Sequence, residues 1–83
     1  MPQHLGVDGY PRPKNQDEQI SKVIESVFRT PNGMEMMQYL KSITTDAVSG
    51  PNISDAELRH LEGQRYLVAL IVKRIQHAKR ISK

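Results

Sequence analysis

The residues that could act as acids, bases, nucleophiles or metal ligands are few and scattered along the chain. The three histidines, His4, His60 and His77, fall in different segments, and the last two lie about five helical turns apart. The chain has no cysteine, and it has no HExxH, phosphate-loop or dinucleotide glycine pattern. We therefore expect no metal, cofactor or catalytic residues, and we predict that the protein is not an enzyme.

The polar residues around Ser54 are better explained by structure than by catalysis. Ser54 and Glu57 have the spacing of a capping box, and Ile53 and Leu58 flank them as a hydrophobic staple. Asp55 and Glu57 also suit the first turn of a helix, where the macrodipole favours negative charge. This stretch predicts a helix that begins at about Asp55, with Ser54 as its cap rather than as a nucleophile.

Basic residues collect at the C-terminal end. Up to Gly63 the chain has nine acids and six bases, whereas no acid follows Glu62. On a helix the bases could neutralise the phosphates of a nucleic acid or an acidic protein surface. Alternatively, they form a solvated helix end whose charges suit the macrodipole. The candidate contact residues are Lys73, Arg74, Lys79 and Arg80.

The N-terminal segment, residues 1–14, contains three prolines and two glycines and has no periodic apolar pattern. Such composition is typical of a flexible arm. The alternative is an arm that orders against a neighbouring subunit through Leu5, Val7 and Tyr10. No apolar stretch follows Met1, so a signal peptide is not expected.

Residues 15–83 are predicted to form one small helical domain with a basic C-terminal end. Helix one is expected to begin at Asn15 as its cap, since apolar residues then recur at helical spacing up to Phe28. Pro31 ends that helix, and it suits the first position of a second helix capped by Thr30. A competing cap for the second helix is Asn32. A loop is expected over residues 44–52.

A third, longer helix is expected from about Asp55 to Lys79. Its segment 66–72 is apolar on every side, which is typical of a helix buried all round. Full cover of that segment could require a second subunit, and a buried strand there remains an alternative. The segment is too short for a membrane span, which needs about 20 apolar residues. Gly63, inside the helix, is expected to mark the close approach of another helix.

The apolar residues that exceed a small core are candidates for a protein interface. Methionine fills irregular gaps in cores, and it also makes adaptable binding surfaces. Both explanations stay open for the methionines at 34, 36 and 37, whereas a soft-metal site is disfavoured because no histidine or cysteine lies nearby. The residues that we expect at an interface are Met36, Met37, Tyr66, Leu70 and Ile71.

The order of these features resembles a family of small proteins of tailed bacteriophages. Its pattern is a Val-Phe, a Thr-Pro-x-Gly corner, a short helix with an apolar doublet, and a Gly-x-Arg that leads into an apolar helix. The resemblance covers roughly residues 20–75, and Met34 departs from it where a polar residue is expected. The matching positions are Val27, Phe28, Thr30, Pro31, Gly33, Met37, Leu40, Gly63, Arg65, Leu67, Leu70 and Ile71.

The resemblance implies a role in phage morphogenesis, because such genes tend to lie near portal and capsid genes, and it implies no catalytic residues. We therefore predict an all-α protein, with two short helices packed against one long C-terminal helix. Its expected function is that of a virion-associated structural protein, located in the virion and in the host cytoplasm during assembly. Expected partners are portal, capsid or ejected internal proteins, further copies of itself and packaged DNA. The alternative is a small basic DNA-binding or regulatory module.

Overall fold

Three helices make up the fold. A computed structural model describes residues 4–47, 50 and 53–82. Within those residues the elements are α1 (Lys14–Phe28), α2 (Pro31–Ser42) and α3 (Asp55–Ile81), and α3 packs on the two shorter helices. The all-α prediction is confirmed, and the alternative of a strand at 66–72 is wrong because α3 includes that segment. No helix in this part of the chain is both long and apolar enough to cross a membrane.

The helix starts follow local capping chemistry in two cases out of three. Thr30 caps α2 by accepting the Gly33 amide at 3.0 Å, with Pro31 at the first helical position. Ser54 caps α3 by accepting the Glu57 amide at 3.1 Å. The predicted caps at Asn15 and at Asn32 are wrong. Helix α1 begins one residue earlier than Asn15, after a proline that makes no side-chain capping bond.

The corner between α1 and α2 depends on Gly33. A Cβ atom built at Gly33 would overlap the carbonyl oxygen of Val27 and would lie 2.6 Å from the Cα of Phe28. Only glycine fits so close to another backbone without displacing it. The close helix approach that the sequence suggested at Gly63 is therefore found at Gly33, and a Cβ at Gly63 would meet nothing within 4 Å.

Arg65 ties the end of α2 to α3. Its Nε donates to the carbonyl oxygen of Thr44 at 2.9 Å, and its Nη2 donates to that of Ala47 at 2.8 Å. These carbonyls belong to the turn at 44–47, at the start of the predicted loop; residues 48, 49, 51 and 52 of that loop lie outside the described residues. The arginine of the Gly-x-Arg pattern thus donates hydrogen bonds to two backbone carbonyls that lie beyond the end of α2.

The molecule is flat and has a very small apolar core. Its principal extents are 46 × 37 × 14 Å and its radius of gyration is 15.2 Å, whereas a compact chain of this length would have about 12 Å. The accessible surface is 6347 Å², against about 5000 Å² for a globular chain of this mass. Among the described residues, the buried apolar side chains are Val68 and Ala78. The three helices therefore leave much apolar surface uncovered.

Candidate interaction surfaces and a buried ionic cluster

The N-terminal arm is folded from His4 onward. The Gly6 amide donates to the Tyr10 carbonyl at 2.8 Å, and the Arg12 amide donates to the His4 carbonyl at 3.0 Å. Gly9 closes the turn with a φ of +83°, a conformation that favours glycine. Residues 4–13 thus form a hydrogen-bonded turn, while residues 1–3 lie outside the described residues, and the flexibility expected of the arm stays a prediction.

Arg74 lies at the centre of a buried ionic cluster, and its side chain is only 3% exposed. Its Nη1 donates to three acceptors: Oδ1 of Asp17 at 2.5 Å, the backbone carbonyl of Asp17 at 2.9 Å and the Ser21 hydroxyl at 3.0 Å. Its Nη2 lies 3.2 Å from Oδ2 of Asp8 in an ion pair without hydrogen-bond geometry. The Ser21 hydroxyl also bonds to Nδ1 of His77 at 2.7 Å.

One of these carboxylates, that of Asp17, also holds the arm against α1. Oδ1 of Asp17 accepts the Val7 amide at 3.2 Å, and Oδ2 lies 3.5 Å from Nε2 of His4. Two large apolar side chains of the arm are exposed, Leu5 by 63% and Tyr10 by 64%, whereas Val7 is half-buried. The arm is therefore attached to its own helices by polar contacts, and the alternative of an arm ordered against a neighbouring subunit is not needed to explain its order.

Arg74 was predicted to contact nucleic acid or an acidic partner, and the structure corrects this. Its guanidinium is enclosed by Asp17 and Asp8 of its own chain, so it is not available to an external anion. A buried charge requires a paired partner because the loss of hydration costs several kcal/mol per ion. Asp17 and Asp8 supply that partner from the arm and α1.

Both carboxylates of the cluster are held in the ionised form. A side-chain hydrogen bond from Arg12 is the main cause that lowers the pKa of Asp8 from 3.8 to about 2. Burial raises the pKa of Asp17, but the hydrogen bonds from Arg74 and from the Val7 amide outweigh it, so that the pKa is lowered overall. At neutral pH the cluster thus contains two aspartates that balance Arg12 and Arg74.

This ionic cluster predicts a window of acid destabilisation. A carboxylate whose pKa is lower in the folded state contributes stability that is complete above its unfolded pKa of about 4. That contribution disappears as the pH falls toward the folded pKa, which for Asp8 is about 2. We expect the urea midpoint to be constant between pH 7 and 5 and to fall between pH 4 and 2. Asp8→Asn should make this fall less steep, and a midpoint unchanged down to pH 2.5 would contradict the prediction.

The histidines do not form a metal site with these carboxylates. His4 and His77, which are far apart in sequence, both lie at the edge of the Arg74 cluster. His60 stays apart, with its Nε2 3.1 Å from the amide nitrogen of Gln64. Within residues 4–47, 50 and 53–82, no three histidine or acidic side chains are placed to hold a metal ion. The cluster instead joins the arm, α1 and α3.

Helix α2 has two apolar sides, of which one is exposed. The inner side carries the buried Gly33 and the half-buried Met37 and Leu40. The outer side carries two exposed residues, and a third exposed residue caps the C-terminal end of the helix; their spacings of three and four place them on one helical face. We call this face the α2 stripe; its members are Met36 (54% exposed), Tyr39 (63%) and Ile43 (48%).

The five predicted interface residues are divided between exposed and half-buried positions. Met36 and Tyr66 are exposed, whereas Met37, Leu70 and Ile71 are half-buried in α2 and α3. The described residues include other exposed apolar side chains that were not singled out as interface residues from the sequence. Two of them, Tyr39 and Ile43, could have been found from the sequence, because they follow Met36 at helical spacing. These exposed residues are Val23, Val27, Met34, Tyr39, Ile43 and Leu67.

The remaining predicted bases lie at the surface of α3. Lys73, Lys79 and Arg80 are exposed, and they form no ion pair with any residue of the described chain. Their positive charge is therefore available to an anionic partner, in contrast to that of Arg74.

The fold and these surfaces define a small helical protein with an internally neutralised arginine, an exposed apolar stripe and a basic helix end. A family model described as Bbp19-like phage protein matches residues 24–81, which is more than half of the chain. The chain therefore belongs to the Bbp19-like phage protein family, and the resemblance to phage proteins is confirmed. No curated protein and no solved structure shows a significant match to it.

The segment that matches the family model contains the residues that shape the corner between α1 and α2 and the residue that ties α3 to the end of α2. Thr30, Gly33 and Arg65 lie within residues 24–81, and each has a defined contact: a cap, a close backbone approach and a tie to the α2 end. The arm, Asp17 and Ser21 lie before the matched segment. The carboxylates that neutralise Arg74 are thus outside the part of the chain that matches the family model.

Proposed function

We propose that this protein is a non-enzymatic structural component of a tailed-phage particle. It packs in multiple copies onto other virion proteins, at the portal, the capsid interior or among internal proteins ejected with the genome. It is present in the host cytoplasm during assembly and in the virion afterwards. Membership in a phage protein family supports the setting, and the observation that carries the structural role is the uncovered apolar surface of the chain.

The chain buries too little apolar surface on its own to be explained as an isolated globule. Val68 and Ala78 are buried, while ten large apolar side chains of the described chain are about half or more exposed. Each fully buried large apolar side chain contributes about 1.5–3 kcal/mol, and a domain of this size has little stability to lose. Contacts with other proteins in a particle would cover these side chains and supply the missing stabilisation.

Purified particles provide the test. Phage particles from a strain that encodes this chain are banded on a density gradient, and the protein is quantified against the major capsid protein by mass spectrometry with labelled peptide standards. We expect a constant copy number across the particle band that survives nuclease treatment and a high-salt wash. A non-structural phage enzyme from the same lysate serves as the control. Recovery of the protein only in the fractions that contain that enzyme would overturn the proposal.

A second candidate function is a basic DNA-binding or regulatory module, which the free charges of Lys73, Lys79 and Arg80 favour. Phosphate contacts of this kind release counterions, so that binding weakens steeply as salt rises. The slope is measured by fluorescence anisotropy with duplex DNA, at salt concentrations from about 50 to about 300 mM. The double variant Lys79→Gln/Arg80→Gln should flatten it, whereas Lys22→Gln, an exposed base on α1, should not.

The two candidates give opposite patterns of results. A particle component stays in the particle band at high salt whether or not isolated DNA binds to it. A regulatory module binds DNA with a steep salt dependence and stays out of the particles. DNA binding that Lys22→Gln weakens as much as the α3 double variant would show a nonspecific effect of net charge and would remove the second candidate.

A further inference from the structure

Helix α2 presents more apolar surface than its own chain covers. Its inner side contacts the end of α1 through Gly33, and the turn that follows α2 is tied to α3. The α2 stripe lies on a different side of the helix and is about half exposed at each of its three members. Met36, Tyr39 and Ile43 follow one another at the three- and four-residue spacing of a helix–helix seam.

A second copy of this chain fits the α2 stripe by symmetry. In an interface with a two-fold axis, the same surface is used by both partners. With the axis at Tyr39, Met36 of one copy lies within one residue of the position opposite Ile43 of the other, since the stripe extends three residues to one side of Tyr39 and four to the other. Two antiparallel α2 helices can thus bury the stripe of each copy against the other.

The excess accessible surface of the chain is large enough for an interface with one further copy. The accessible surface of 6347 Å² exceeds that of a globular chain of the same mass by about 1300 Å². A standard interface buries about 800 Å² on each partner. One copy would therefore cover more than half of the excess, and other surfaces would remain for a different protein.

Charge supports an apolar rather than an ionic contact between copies. The stripe contains no charged residue, and each chain has a net charge of +3. Two copies therefore repel at long range, and added salt screens this repulsion while it leaves apolar burial intact. A contact between copies through the stripe should be at least as strong at high salt as at low salt, in contrast to a contact with DNA.

We propose that the α2 stripe is the surface through which two copies of this chain associate, with their α2 helices antiparallel across a two-fold axis. The inference rests on the proposed function, in which several copies pack together, and it names the contact between them. The remaining exposed apolar side chains on α1 and α3, such as Val23 and Tyr66, are then available to another virion protein.

Cysteine crosslinking tests the position of the axis. The chain has no cysteine, so that a single introduced thiol reports on one position. Tyr39→Cys should give a disulfide-linked dimer under mild oxidation, because residues on the axis of a two-fold seam approach within disulfide distance. Met34→Cys is the matched control, since Met34 lies on the same helix, is 52% exposed and is outside the stripe. Equal crosslinking of both variants, or none for Tyr39→Cys, would overturn the proposed geometry.

Light scattering tests the association itself without a crosslink. The native chain should have a mass of about 19 kDa, twice its 9.5 kDa, at both low and high salt. Met36→Glu should raise the dimer dissociation constant at least tenfold, and Met34→Glu should leave it unchanged; circular dichroism of both variants checks that the helices form. A native monomer at every concentration, or equal weakening by the two variants, would overturn the inference.

The outcomes separate this inference from the proposed function. A native monomer that is nevertheless found in purified particles would reject the contact between copies and retain the virion role. A dimer that depends on Met36 but is absent from particles would retain the contact and reject the virion role. In the first case the α2 stripe would become the candidate surface for a different virion protein.

Discussion

Replacing Arg74 by methionine is expected to lower the free energy of unfolding by about 3–5 kcal/mol. The substitution leaves the Asp17 carboxylate buried without its cation, and it removes the donor that serves the Asp17 carbonyl and the Ser21 hydroxyl. It also removes the charge that faces Asp8 from α3. Urea unfolding at pH 7, followed by circular dichroism, measures the loss.

The matched control is Lys73→Met, which makes the same kind of change at the neighbouring position. Lys73 is exposed and has no ion pair within the described chain, so a change within about 0.5 kcal/mol is expected. The double variant Arg74→Met/Asp17→Leu should recover part of the loss, because both charges are then absent. If Arg74→Met and Lys73→Met had similar effects, the cluster would not stabilise the fold.

Hydrogen exchange provides a second measurement on Arg74→Met, specific to the arm. The amides of Val7 and Arg12 are bonded to Asp17 and to the His4 carbonyl in the native fold. If the cluster holds the arm, both amides should lose more protection in Arg74→Met than the interior of α3, where protection falls only with the global free energy of unfolding. A variant in which all amides lose protection equally would indicate global destabilisation instead of release of the arm.

The sequence predicts those parts of the fold that depend on local chemistry. The caps at Thr30 and Ser54 involve residues three positions apart, so the pattern contains both partners. Arg74 could not be distinguished from the other C-terminal bases in this way. Its partner Asp17 is 57 positions away, and Asp17 in the first turn of a helix already had a sufficient local explanation in the macrodipole.

The same limit applies to the candidate interface. Apolar residues occur on more than one side of α2, and periodicity does not say which side faces the body of the protein. That choice follows from the angle at which α2 leaves the corner, and this angle is set by the contact of Gly33 with the end of α1. Hence Met37, predicted at an interface, is half-buried, whereas Tyr39 and Ile43 are exposed.

Replacing glycine by alanine is expected to have opposite effects on stability at Gly33, in the corner between α1 and α2, and at Gly63, inside α3. Gly33→Ala places a Cβ against backbone atoms of Val27 and Phe28, which cannot rotate away as a side chain does. Helix α2 must then shift, and overpacking of this kind costs about 1–3 kcal/mol. We expect the upper part of this range, measured as a lower urea midpoint, together with weaker helical signal if α2 separates from α1.

Gly63→Ala serves as the matched control, and it is expected to stabilise the protein. Nothing lies within 4 Å of a Cβ at Gly63, and alanine inside a helix is more favourable than glycine by about 0.5–1 kcal/mol. Destabilisation by both variants would contradict the open environment of Gly63. The site at Gly63 is open within one chain, but a second copy in a dimer can cover it. In that case Gly63→Ala would destabilise the protein at concentrations where it is dimeric, but not in the Met36→Glu background. This result would place a second chain against Gly63 and restore the close helix approach that the sequence suggested there.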